Sequence, residues 1–251
     1  AYDEDLHIAI VGGERVVTEL APDLKQESSQ SFSASADFYH TFGNVQTNLL
    51  IEGFFTDLRD VFALRQLDGT DAQGNAVLER YNGSGARVFG LNLEAKAFFS
   101  SHFDVQAGVT LQRSRYKKPE VWSDNPDVPA EKRMFRTPDV YGYFTANWEI
   151  LPKFRAIFTG TLTGPMTVQH LVGSGTDVDL AVRTESFFDA SVKLAYCFKI
   201  FKKVDIDVTA GVSNIFNSYQ RDFDTGSLRD SGYMYGPALP RCLTCGVSLS
   251  I

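Results

Sequence analysis

Period-two alternation constrains this chain more than any other feature. Between 88 and 99, Phe89, Leu91, Leu93, Ala95, Ala97 and Phe99 are apolar, while Asn92, Glu94 and Lys96 fill the other parity. At 103–112, Phe103, Val105, Ala107, Val109 and Leu111 alternate with Asp104, Gln106, Gly108, Thr110 and Gln112. The pattern returns at 204–213 through Val204, Ile206, Val208, Ala210 and Val212, and again through Leu243, Cys245, Val247, Leu249 and Ile251. Successive side chains of a strand point to opposite faces, so each segment reads as a strand with one apolar and one wet face. In these four segments every charge (Glu94, Lys96, Asp104, Asp205 and Asp207) lies on the wet parity.

The same reading along the chain predicts nine strands, at 28–42, 45–66, 77–100, 103–117, 134–150, 154–170, 183–199, 204–220 and 239–251. Many run to about 14–20 residues, well beyond the five or six usual in soluble sheets. Crossing a bilayer takes about 9–11 tilted residues. The connections form two sets. Short ones fall around Gly43-Asn44, Ser101-His102, Leu151-Pro152-Lys153 and Phe201-Lys202-Lys203; long ones occupy 67–76, 118–133, 171–182 and 221–238. The two sets alternate strictly, so in an up-and-down meander each set lies at one end. That is the outer-membrane pattern of short periplasmic turns and long extracellular loops. The predicted fold is all-β: a transmembrane antiparallel up-and-down β-barrel segment, with 1–27 extracellular and 28–251 supplying barrel strands and loops. Tyr141, Tyr143, Trp148, Tyr196 and Phe198, near strand ends, suit the aromatic girdles of such barrels. A soluble antiparallel barrel or sandwich would show the same periodicity with its apolar face inward.

Composition removes other classes. Net charge is −7, which argues against a nucleic-acid partner. No apolar run reaches the roughly 18–20 residues of a transmembrane helix. The acidic start, Ala1-Tyr2-Asp3-Glu4-Asp5, does not read as a signal peptide and fits an acidic loop. Cys242 and Cys245 form a CxxC, but in a strand they face opposite sides, so neither a metal nor a redox pair is expected. No nucleophile elbow, zinc-protease or phosphate-loop signature occurs, so neither an enzyme nor a cofactor is expected. His7 and His170 fall at the extracellular end; His40 and His102 fall near periplasmic turns. Only the first two could share a chelate contact. Asp177 and Asp179 with Gly173 and Gly175 lack the terminal Glu of a calcium loop and read as a polar loop.

The C-terminal region carries a more specific signal. Asn214-Ile215-Phe216-Asn217-Ser218-Tyr219 resembles the penultimate-strand motif of TonB-dependent outer-membrane receptors. Tyr235-Gly236-Pro237-Ala238-Leu239-Pro240-Arg241 resembles that family's last loop and strand, and Arg229-Asp230-Ser231-Gly232-Tyr233 its Bacteroidetes-type version. Ala1 to His7 and Leu24-Lys25-Gln26-Glu27 resemble mid-barrel segments, with Gln26 where Pro is usual. Ile251 stands where the family usually ends in an aromatic.

The resemblance implies a 22-stranded barrel with a plugged lumen, of which this chain is the C-terminal portion. It implies active uptake of a scarce, large ligand such as a ferric siderophore, haem, cobalamin or an oligosaccharide. Implied partners are the remaining strands and plug, TonB acting through that plug, outer-membrane lipids, the barrel-assembly machinery and a possible surface lipoprotein. It also implies a ligand pocket among the extracellular loops. Aromatic and charged loop residues combine contact area with charge-assisted hydrogen bonds. These are Tyr116, Trp122, Arg133, Arg136, His170, Arg183, Arg229, Tyr233 and Tyr235. The competing functions are a passive porin, a structural or adhesive barrel, and a soluble β ligand-binding protein.

Overall fold

The computed structural model describes residues 8–11, 14–173, 175–200, 204–237 and 239–250. His7, the acidic 3–5 segment, the turn at 201–203 and Ile251 lie outside the described residues. The strands are β1 (Ile8–Val11), β2 (Glu14–Leu20), β3 (Ser28–Phe42), β4 (Val45–Arg59), β5 (Phe62–Thr70), β6 (Ala76–Asn82), β7 (Ala86–Ser100) and β8 (Phe103–Glu120). Then follow β9 (Glu131–Arg133), β10 (Val140–Leu151), β11 (Phe154–Thr163), β12 (Thr167–His170), β13 (Leu180–Arg183), β14 (Phe187–Ile200), β15 (Val204–Ser213) and β16 (Cys242–Ser250). Every regular element among the described residues is a strand.

The main sheet runs β3-β4-β7-β8-β10-β11-β14-β15-β16, each strand antiparallel to the next, with β9 appended to β8. This is the predicted nine-strand meander. It is open: β3 and β16 are its edges, and both are exposed along most of their length. The register keeps apolar positions in line across the sheet. Leu49, Ala95, Ala107 and Phe144 share one row, as do Ile51, Leu93, Val109 and Gly142. The opposite face holds the polar parity, with Glu94, Lys96 and Tyr143 linked together and Asn147 donating to Asp104 at 2.9 Å.

Two expectations change. Tyr141 and Tyr143 do not belong to the outward girdle. Tyr141 pairs with Thr110 and Tyr143 with Gly108, on the row of Asn92 and Glu94, so both face the polar side. The Tyr143 hydroxyl donates to Glu94, and Gln106 donates to that hydroxyl, which satisfies a ring inside a wet lumen. Trp148, Tyr196 and Phe198 do lie on the apolar face, opposite Phe103, Val208 and Ile206.

The second change is in strand length. The predicted strands 45–66, 77–100, 134–150, 154–170, 183–199 and 204–220 are cut at the loop end. Asp60 (φ 53°), Gly85 (φ 81°) and Asn214 (φ 49°) put left-handed kinks in the backbone there. A Cβ on Gly85 would stand 2.5 Å from the Leu58 carbonyl oxygen, so the chain passes only with glycine. The severed ends form their own elements. β5 and β6 make a hairpin joined by β2 and β1 in the order β1-β2-β6-β5, which is where the 1–27 segment lies in its described part. β12 and β13 make another hairpin.

An open sheet buries little. Among the described residues the buried apolar cluster sits at the loop end, where Met166, Val168 and Tyr233 pack with Val182 and Tyr235.

Candidate functional site

Two long connections meet at this cluster: the β12–β13 hairpin with its tip, and the 214–241 segment between β15 and β16. The second is shaped by asparagine. Asn214 and Asn217 both take positive φ, a conformation asparagine tolerates better than other non-glycine residues. The Asn214 side chain is buried; it donates to the carbonyls of Ser218 and Leu239 at 3.0 Å and accepts from the Ser218 amide at 2.8 Å. Asn217 accepts from the Arg241 amide at 3.0 Å. The motif residues are therefore a turn device that fastens the long loop to the start of β16.

Gln220 fastens the returning limb, donating to the Tyr233 carbonyl at 3.1 Å and accepting from the Tyr235 amide at 2.8 Å. Asp222 then collects both phenols: Tyr233 Oη at 3.0 Å and Tyr235 Oη at 2.6 Å. Burial works to raise the Asp222 carboxyl, but the two hydroxyl donors outweigh it and hold it below its ordinary value. Burial and the Asp222 hydrogen bond push Tyr233 up to about 12, and push Tyr235 up as well.

His170, at the end of β12, closes the clasp. Its ring stacks on Tyr233, and Nε2 lies 3.0 Å from Asp224 Oδ1. The other Asp224 oxygen accepts from the Asp230 amide, and the Asp230 carboxylate accepts from the amides of Leu171 and Gly232. Arg136 reaches over from the β9–β10 connection and donates to the carbonyls of Met234 and Gly232.

Four of the nine predicted residues, Arg136, His170, Tyr233 and Tyr235, are thus brought together. They are tied to one another and to loop backbone. Arg183 pairs with Asp139 at 3.1 Å and lines a cavity of about 770 Å³ with Phe188, Arg221 and Tyr235. A smaller polar cavity, about 430 Å³, lies between His170, Gly175, Asp222, Asp224 and Tyr233. Tyr116 and Trp122 stand apart, both beside Phe135; the Trp122 indole donates to the Pro129 carbonyl at 3.2 Å. Arg133 pairs with Arg115 in the β8–β9 ladder. Arg229 is exposed at the tip of the last loop and donates to the Gly226 carbonyl at 3.0 Å.

Sequence reasoning missed Asp222, Asp224, Asp230 and Gln220. The signal was available: three carboxylates within nine residues of one long loop, next to tyrosines. Asp179, weighed as part of a calcium loop, instead accepts from Ser123 Oγ and the Val172 amide. Among the described residues no cluster of three metal-binding side chains occurs.

The comparisons agree with this architecture. The family described as TonB dependent receptor-like, beta-barrel matches residues 7–215. No curated protein sequence matches. Among solved structures, the chain is similar to the ferric-catecholate import receptor Fiu of K12 E. coli (17% identity, 91% of this chain, 28% of that chain, TM-score 0.58). It is also similar to the FrpB iron transporter of Neisseria meningitidis (16%, 94%, 33%, TM-score 0.56). A third is the siderophore receptor PirA of Acinetobacter baumannii (17%, 97%, 34%, TM-score 0.56). The chain spans about a third of the length of these proteins. The open edges follow, since nine strands supply only part of a wall that must close. This chain belongs to the TonB-dependent receptor β-barrel family and is part of a barrel wall in the bacterial outer membrane.

Proposed function

We propose that this chain is the C-terminal portion of an active outer-membrane transporter, and that its loop end forms part of the binding surface for a metal chelate of the ferric siderophore type. The observation that carries the reading is the clasp. Two long extracellular connections, free to be solvated coils, are instead cross-tied by His170, Asp222, Asp224, Asp230 and Arg136. A preorganised loop surface binds a rare ligand without the cost of ordering it on arrival. The similar structures named above are iron, ferric-catecholate and siderophore receptors, which supports a chelate over a sugar.

In this reading the nine loop residues divide. Arg136, His170, Tyr233 and Tyr235 hold the surface in shape. Arg183 and Arg229 offer guanidinium groups to an anionic chelate. Tyr116 and Trp122 belong to the neighbouring loop and extend the contact surface, whereas Arg133 stands in the strand ladder with Arg115. Energy coupling comes from a plug and TonB contributed outside this chain.

The test is uptake by cells expressing the full-length receptor, with radiolabelled ferric catecholate as the probe. Accumulation that requires TonB and the proton-motive force supports the reading. Equal entry with and without TonB, or ion conductance from the purified barrel alone, overturns it in favour of a passive pore.

A further inference from the structure

The last long connection leaves the wall at Asn214, whose φ of 49° turns the chain off the β14–β15 ladder. The last rung of that ladder pairs Val192 with Val212. Above it the start of β14 and the limb that follows Asn214 are no longer held by strand pairing. The Ile215 amide still reaches the Ala190 carbonyl at 2.8 Å, and the Phe188 amide reaches Ser218 Oγ at 3.2 Å. Between the two limbs lies the cavity of about 770 Å³. Its apolar walls are aromatic. Phe188 stacks on Phe216 with centroids 5.7 Å apart, and Phe187 stands 5.9 Å from Tyr235.

Four charged side chains also line the cavity, and they are not equivalent. Arg183 is paired with Asp139, and the oxygens of Asp222 accept from the Tyr233 and Tyr235 phenols. Glu185 stands exposed on the β13–β14 connection. Arg221 stands on the other limb, with its guanidinium over the Tyr219 ring at 5.3 Å. Among the described residues neither Glu185 nor Arg221 makes an ion pair, with each other or with any other group. A simple anion would be repelled by Glu185 and a simple cation by Arg221. The complement of both is a zwitterion. An ammonium suits the carboxylate, a carboxylate suits the guanidinium fork, and a ring suits the aromatic walls. The volume falls in the range of small-molecule sites, about 300–1,000 Å³.

We propose that this cavity binds a zwitterion with an aromatic side chain, as a free amino acid or a short peptide supplies. The ammonium lies on Glu185, the carboxylate on Arg221, and the ring among Phe187, Phe188 and Tyr235. Neither Glu185 nor Arg221 belongs to the clasp, and the site stands whichever chelate the receptor carries.

The experiment is titration calorimetry on the full-length receptor in detergent. The probes are phenylalanine, glycyl-phenylalanine, N-acetyl-glycyl-phenylalanine, glycyl-phenylalanine amide and glycyl-glycine. Expected is binding of phenylalanine or glycyl-phenylalanine, with each capped form about tenfold weaker than the free dipeptide and glycyl-glycine weaker still. Tighter binding of the dipeptide marks a peptide site, and tighter binding of phenylalanine an amino-acid site; either satisfies the proposal. E185Q should lose about tenfold in affinity and become indifferent to acetylation while still sensing amidation. R221Q should show the reverse. The comparison of free and capped probes on the unaltered receptor needs no variant, so a variant that folds poorly does not blunt the test. No binding of either free probe, or equal binding of free and capped forms, overturns the proposal. So does an unchanged preference for both free ends in E185Q and R221Q, which would put the binding elsewhere.

Discussion

The imidazole of His170 lies flat on the phenol of Tyr233, with centroids 3.7 Å apart and planes 7° from parallel. The two residues come from different extracellular connections, and both are buried. Their stacking, with the Asp224 contact behind it, is what converts two long loops into one body.

His170→Ala should therefore loosen both loops while leaving the barrel folded. The loss combines a ring stack and a hydrogen bond to a carboxylate, about 1–3 kcal/mol of local stability. Hydrogen exchange at the amides of Leu171 and Gly232, which the Asp230 carboxylate holds, should accelerate. Unchanged exchange at both amides would show that the clasp is held elsewhere.

The Asp222–tyrosine part of the clasp should fail at both extremes of pH. Asp222 has a folded value below its ordinary 3.8, so its contribution is complete above that value and is lost as pH falls through the lower one. Tyr233 is raised from 10.0 to about 12, so its contribution is complete below 10.0 and is lost as pH rises through about 12. Limited proteolysis of the 221–231 stretch against pH, alongside a tyrosinate absorbance titration, measures both edges. A cleavage rate that does not change from below pH 3.8 to above pH 12 would contradict this assignment.

Asn214→Ala should be costly at the end of β15. It removes three side-chain hydrogen bonds of a residue only 2% exposed and puts a poorly suited residue at φ 49°. A loss of about 2–4 kcal/mol is expected. Asn214→Gly keeps the backbone conformation but not the hydrogen bonds, and should fall between the two. Heat-modified gel mobility of the full-length receptor reports the folded fraction in each case.

Gly85→Ala should separate the β5–β6 hairpin from the wall. The new Cβ meets the Leu58 carbonyl, and φ of 81° strains any L residue. About 1–3 kcal/mol is expected, localised to this junction. Faster exchange at the Lys117 amide, which donates to the Gly85 carbonyl, is the readout.

Arg136 and Arg229 should behave oppositely. Arg136 spends its guanidinium on two loop carbonyls, so Arg136→Ala should disorder the last loop and weaken ligand binding through that disorder. Arg229→Ala should leave proteolysis of the loop unchanged and reduce only affinity for an anionic chelate, by about tenfold. Equal effects on both measurements would show that the two arginines share a single role.

The sequence by itself determined the wall. Alternation at 88–99, 103–112 and 204–213 identified which residues share the apolar face, because a strand's side-chain period is two and leaves no freedom once one face must be apolar. The strict alternation of short and long connections assigned the two ends. Tyr141 and Tyr143 escaped this reading, since an aromatic ring suits either a girdle or a hydrated lumen. Only the cross-strand register, which puts Tyr143 beside Glu94, decided between them.

Tertiary structure alone decided the loop end. The partners there are far apart in the chain: His170 with Asp224, Arg136 with Gly232, Leu171 with Asp230. No periodicity links such residues, because loops fold on side-chain hydrogen bonds and packing between segments, not on a repeating backbone ladder. The same holds for a row of arginines on the apolar-parity face of the sheet. Arg87, Arg115 and Arg133 are scattered in sequence and become one row only when three strands are set in register.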